Sequence, residues 1–161
     1  MKASAMMVID SSQAAGRPKI NVSSAHTAFK KELAANLGLN ENTLQPLAGS
    51  AMKSAPDYVL MVYNGDSDYA IFGGIKACKY QYTGGTLTTT YPNISGFPYR
   101  FGVNASDVVP GGGGTYNVTL DMPGAVAVIN TSVRKVLGRD ALSPVRYAAA
   151  KIVCPAGTCG P

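Results

Sequence analysis

Hydrophobic positions change their spacing twice along this chain. Between residues 24 and 37 they recur every four, at Phe29, Leu33 and Leu37, which is the spacing of one helix face. Ser24 is the candidate N-cap, Ala28, Ala34 and Ala35 are strong helix formers, and Gly38 supplies the stop. Lys30 and Lys31 fall on the wet side. Ahead of this helix, Met6 to Asp10 is a short strand candidate and Ser11 to Lys19 a loop. Behind it, Leu39 to Pro56 is rich in Asn, Gly and Ser and reads as loop with one short helical turn at most.

From Asp57 the period becomes two. Tyr58 to Tyr63 is apolar on both faces, as a central strand covered on both sides would be. Asn64-Gly65-Asp66 predicts a hairpin turn, Asp68 to Phe72 the returning strand, and Gly73-Gly74 a break or bulge before Ile75 to Tyr82. Gly84-Gly85 turns the chain into Thr86 to Tyr91. Further strands are expected at Tyr99 to Val103 and at Thr115 to Asp121. In the latter, Tyr116, Val118 and Leu120 alternate with Thr115, Asn117 and Thr119. Ala125 to Ile129 reads as a strand or as the edge of the last segment.

Helical spacing then returns. Thr131 to Gly138 predicts a capped two-turn helix. Ser143-Pro144 is an N-cap followed by proline at the first helical position, ahead of the stripe Val145, Ala148, Ala149, Ile152 and Val153. A strand competes over the same residues, because Val145, Tyr147 and Ala149 also alternate; the helix is the preferred reading. The predicted fold is α+β: an antiparallel β-sheet meander of five to seven strands with one N-terminal helix and short C-terminal helices. It forms a single domain over 1–161, with an N-terminal strand and loop in 1–23, the helix in 24–37, the antiparallel sheet in 57–130, and C-terminal helices and tail in 131–161.

Composition changes this picture in one respect. Charged residues make up 14% of the 161 positions, against about 25% in ordinary globular chains. Such a surface is kept wet by Thr, Ser, Asn and Gly, is glycosylated, or is covered by other subunits. The formal net charge of +5 permits contact with nucleic acid or an anionic surface without requiring it. No run of 18 apolar residues occurs, so no membrane-crossing helix is expected. The apolar stretch Ala3 to Ile9 is too short for the core of a signal peptide.

Five N-x-S/T sequons, at Asn21, Asn93, Asn104, Asn117 and Asn130, suit a secreted glycoprotein, but the same residues are common at strand ends and turns, and the turn is the favoured reading. Three cysteines are present. Cys154 and Cys159 are spaced to close a small disulfide loop, which leaves Cys78 either buried in a strand or pairing between chains, the buried thiol being the favoured reading.

Catalytic patterns are sparse. His26 is the single histidine, and a surface or half-buried structural role suits its place in the helix better than a nucleophile's partner. Gly111 to Gly114 lacks the Lys-Ser/Thr of a phosphate loop. Asn64-Gly-Asp66-Ser-Asp68 lacks the later glycine and glutamate of a calcium loop. No cofactor and no metal are expected. The remaining constellation interleaves cations with aromatics on strands: Lys76, Lys79, Tyr80, Tyr82, Tyr99 and Arg100, with Thr88, Thr90, Asn117 and Thr119 nearby. Such a face can meet phosphates and stack bases, and Lys79, Arg100, Tyr80 and Thr88 are the candidate nucleic-acid residues.

The expected function is therefore a non-enzymatic structural subunit. It would self-assemble through β-sheet contacts as a homo-oligomer, for instance as a virion coat protein with nucleic acid on its polar sheet face. The alternative is a secreted or periplasmic β-rich binding or inhibitor module. A carboxylate enzyme is a third, weaker reading. A virion or extracellular setting fits better than a membrane.

Overall fold

A computed structural model describes residues 19–65, 75–134 and 141–151. The helix, α1, runs Val22–Leu37. It starts two residues before the expected Ser24 boundary, because Asn21 takes the cap: its side chain accepts the Ser24 N–H at 3.0 Å. Gly38 ends it at φ 64°, a left-handed conformation that costs glycine nothing. Phe29 and Leu33 are buried against the sheet and Leu37 packs at the margin, as the four-residue spacing required.

The strands are β1 (Asp57–Tyr63), β2 (Ala77–Thr83), β3 (Thr86–Thr90), β4 (Tyr99–Asn104), β5 (Thr115–Leu120), β6 (Gly124–Asn130), β7 (Val133–Arg134), β8 (Ala141–Leu142) and β9 (Val145–Lys151). Five form one sheet in the order β3-β2-β1-β6-β9, in which neighbouring strands all run antiparallel. The doubly apolar β1 lies at its centre, as predicted. β4 and β5 form a separate hairpin, and β7 pairs with β8.

Three layers result. α1 covers one face, where Phe29, Leu33 and Ala25 meet Tyr58, Leu60, Val62, Cys78 and Ala127. The β4–β5 hairpin covers the other, where Phe101, Val103 and Leu120 meet Val59, Tyr63, Val126 and Val128. The alternation expected in β5 holds: Leu120 is buried, Tyr116 and Val118 are half-buried, and Thr115, Asn117 and Thr119 face water.

Two expectations are corrected. The sheet is a meander only through β1, β2 and β3. The chain then leaves it for the hairpin and returns as β6 on the other side of β1, so Ala125 to Ile129 is an internal strand and not an edge. The C-terminal helices are also absent among the described residues. Val133–Arg134 is a short strand, and the residues read as a helix from Pro144 onward form β9, paired with β6 over seven positions. The physical reason lies in β6. It is buried over most of its length, and its backbone groups facing away from β1 need partners that only another strand supplies. The strand candidate at Met6 to Asp10, the returning strand Asp68 to Phe72 with Gly73-Gly74, and the Cys154–Cys159 bridge lie outside the described residues.

A buried polar clamp ties the chain before α1 to the sheet. Asn64 is fully buried. Its Oδ1 accepts the Ile20 N–H at 2.7 Å, and its Nδ2 donates to the carbonyls of Ile20 at 2.9 Å and Ile75 at 3.0 Å. Every hydrogen-bonding direction used here replaces a lost water contact, which is the condition for burying an amide.

Candidate assembly edge and polar sheet face

β3 differs from every other long strand: all five of its residues are exposed. It is joined to β2 by Thr83-Gly84-Gly85-Thr86, with φ of 58° at Gly84 and 86° at Gly85. Two successive left-handed residues make the primed turn that matches the twist of a two-residue hairpin, and glycine adopts them without strain. The hairpin carries β3 past the cover of both α1 and the β4–β5 layer. Leu87 is 44% exposed and Tyr91, just beyond the strand, 63%.

The direction of the β3 backbone follows from hydrogen-bond phase. The Asn64 N–H donates to the Lys76 carbonyl at 2.7 Å. Alternation along the β1–β2 ladder then turns the backbone groups of Cys78, Tyr80 and Tyr82 toward β1, and those of Lys79, Gln81 and Thr83 toward β3. On β3, Thr86, Thr88 and Thr90 answer them. The N–H and C=O groups of Leu87 and Thr89 point away from the sheet. No charge and no proline occurs from Thr86 to Tyr91, so the usual devices that blunt an open edge are missing.

The opposite edge is equipped differently. β9 carries Arg146 and Lys151, both exposed. Its Tyr147 ring lies 4.6 Å from that of Tyr116 on β5, and Lys151 Nζ sits 2.8 and 2.9 Å from the two Asp121 carboxylate oxygens. That ion pair holds the exposed Asp121 carboxyl below its ordinary range. The hairpin layer thus flanks the β9 edge, leaving a shallow open groove between Val118–Asp121 and Ala149–Lys151.

The four candidate nucleic-acid residues do not form one surface. Lys79 projects to the hairpin side and pairs with Asp107 at 3.5 Å. Thr88 is exposed on that same side, opposite Gln81, whose carbonyl accepts its Oγ1–H at 3.1 Å. Tyr80 projects to the other side. It is buried beneath α1 and stacked on His26 with centroids 4.0 Å apart and planes 3° apart. Arg100 belongs to the hairpin. It is exposed on the hairpin's outer face opposite Thr119, while Phe101 points into the core.

His26 is more deeply placed than expected, at 8% exposure. Its Nε2 lies 2.8 Å from the Tyr58 hydroxyl. Burial first, and the nearby Lys30 cation second, push its pKa down to about 4, so the ring is neutral at pH 7. Burial also raises the Tyr58 and Tyr80 hydroxyls above their usual range and brings Tyr63 up to about 12. Cys78 is a buried free thiol, raised by the same desolvation. Among the described residues, no group of three or more His, Cys, Asp or Glu is placed to hold a metal ion, and no helix is long and apolar enough to cross a membrane.

Of the sequon asparagines, Asn21 spends its side chain on the α1 cap, a role that the turn reading does not name. The open β3 edge was not singled out from the sequence. Its signal is present, since Thr-Leu-Thr-Thr-Thr has no apolar face to bury. Comparison with protein-family models, curated proteins and solved structures finds no match to this chain.

Proposed function

We propose that this chain is a non-enzymatic structural subunit that self-assembles through β-sheet contacts, of the kind that builds a virion coat. The observation that carries this reading is the β3 edge: exposed on both faces, uncharged, free of proline, and ending beside an exposed tyrosine. Such an edge templates strand addition by another chain. The scarcity of charge supports the same reading, because a surface with few ions loses little solvation when another subunit covers it.

Nucleic acid on the polar face is the more distant part of the proposal. It rests on two separate exposed groups, Arg100 on the outer face of the β4–β5 hairpin and Thr88 on β3, and less on Lys79, whose charge Asp107 partly neutralises. Tyr80 is removed from it, since a ring stacked beneath α1 cannot also stack on a base.

Sedimentation velocity at micromolar concentration tests the central part. The expected result is a species well above the 16.7 kDa of one chain, shifting toward smaller species on dilution. A single 16.7 kDa species at every concentration and salt would contradict it.

A further inference from the structure

We infer that two copies of this chain pair β3 against β3, antiparallel about a two-fold axis through Thr88, so that two five-stranded sheets become one of ten strands. The inference rests on the self-assembly reading above and specifies its first contact.

The phase of β3 leads to this arrangement. Its outward backbone groups belong to Leu87 and Thr89, which lie symmetrically about Thr88. An antiparallel pair of identical strands is two-fold symmetric by construction. Centred on Thr88, it sets Leu87 opposite Thr89 of the second copy, and Thr89 opposite its Leu87. Each pair exchanges two N–H···O=C bonds, so every outward group of Leu87 and Thr89 gains a partner. Thr88 then faces Thr88 as a non-hydrogen-bonded pair, with Cα atoms about 4.5 Å apart. On that face Thr86 also meets Thr90, and β-branched residues suit such cross-strand pairs. On the other face Leu87, Thr89 and Tyr91 of both copies form one uncharged strip beside Tyr80 and Tyr82.

A second copy fits this edge better than a foreign ligand. β3 has no charge with which to select an acidic or basic partner, yet it matches itself in length, hydrogen-bond phase and side-chain type. The same operation on β9 is less favourable. A two-fold at Ala148 sets Arg146 opposite Ala150 and Lys151 opposite Val145 of the second copy, which gathers four cations in one seam, and charges on a strand edge disfavour pairing with another chain. The Tyr116–Tyr147 contact and the Lys151–Asp121 pair further occupy that edge.

Cysteine placement tests the axis directly. Thr88→Cys and Thr89→Cys are oxidised mildly beside the parent chain, which controls for the native cysteines, and run on non-reducing gels. Thr88→Cys is expected to give a reductant-reversible covalent dimer as its main product, at several-fold higher yield than Thr89→Cys. Both variants change exposed side chains on an edge, and sedimentation of each confirms assembly equal to the parent's. Thr89→Pro serves as a second variant: it deletes an outward N–H and leaves the β2 ladder intact, so association should weaken at least 10-fold with an unchanged circular dichroism spectrum. If Thr88→Cys assembles like the parent but gives no more covalent dimer than the parent, the two-fold pairing is wrong while the self-assembly reading stands. If parent and variants all sediment as monomers, both are wrong.

Discussion

β1 and β3 lie two places apart in the same sheet and live in different solvents. β1 is roofed by α1 on one side and by the β4–β5 hairpin on the other, and five of its seven residues are buried. β3 has neither roof and buries none of its residues. Position in the strand order decides this, not strand propensity, for Thr belongs with Val and Tyr among the residues enriched in strands. The centre therefore holds the stability of the fold, while the edge holds outward backbone groups that pair with no other strand among the described residues. Changes at the centre should unfold the chain, and changes at the edge should separate chains and leave each one folded.

The largest effect belongs to the roof over β1. Leu33 is almost fully buried between α1 and the sheet, and Leu33→Ala is expected to cost about 2–5 kcal/mol, the usual range for a leucine-sized cavity. Urea melts measure it, and a loss under about 0.5 kcal/mol would mean that α1 does not cover the sheet.

Acid should act on the same roof. His26 titrates near 6.5 when unfolded and near 4 when folded, so the unfolded chain binds the extra proton first. Stability is complete above pH 6.5, falls as the pH drops from there toward 4, and levels off below 4. The loss is on the order of 3 kcal/mol if the whole shift is expressed. In His26→Asn, melts between pH 6.5 and 4 should lose most of this slope; an unchanged slope would place the acid sensitivity elsewhere.

A smaller effect separates the cations outside the core. If the assembly holds single-stranded RNA, Arg100→Ala should lower the salt slope of binding by about 0.7, the value of one phosphate contact. Lys79→Ala should leave the slope nearly unchanged, because Asp107 already faces that ammonium. A salt titration of both variants beside the parent reads this out. Equal effects would mean that the Lys79–Asp107 pair opens on binding.

Much of the covered region could be read from sequence, because covering leaves a period. The Phe29–Leu33–Leu37 spacing, the doubly apolar Tyr58 to Tyr63 run and the alternation of β5 each reflect a face that must be dry. The period failed at β9. Pro144 at a first-turn position and three consecutive alanines favour a helix locally, but the open side of β6 required a strand, and that requirement comes from 15 or more residues away. The nucleic-acid candidates failed for a related reason. Lys79 and Tyr80 are neighbours in a strand and so must face opposite ways, which the sequence does imply. That Arg100 leaves the main sheet for a separate hairpin is a tertiary choice with no local mark. The structural role of His26 is legible from its place in the helix, but its burial is not, because its partner Tyr58 is 32 positions away.

If β3 serves association and contributes almost nothing to folding, one substitution separates the two. Leu87→Lys places a charge on the open edge, where the ammonium can stay in water while the chain is alone. Sedimentation velocity and a urea melt of this variant, run beside the parent, are the direct measurement. The expected result is a melt within about 0.5 kcal/mol of the parent, as for an exposed surface change, together with loss of the larger species in favour of one near 16.7 kDa. Assembly at the parent's concentration with Lys at position 87 would contradict it.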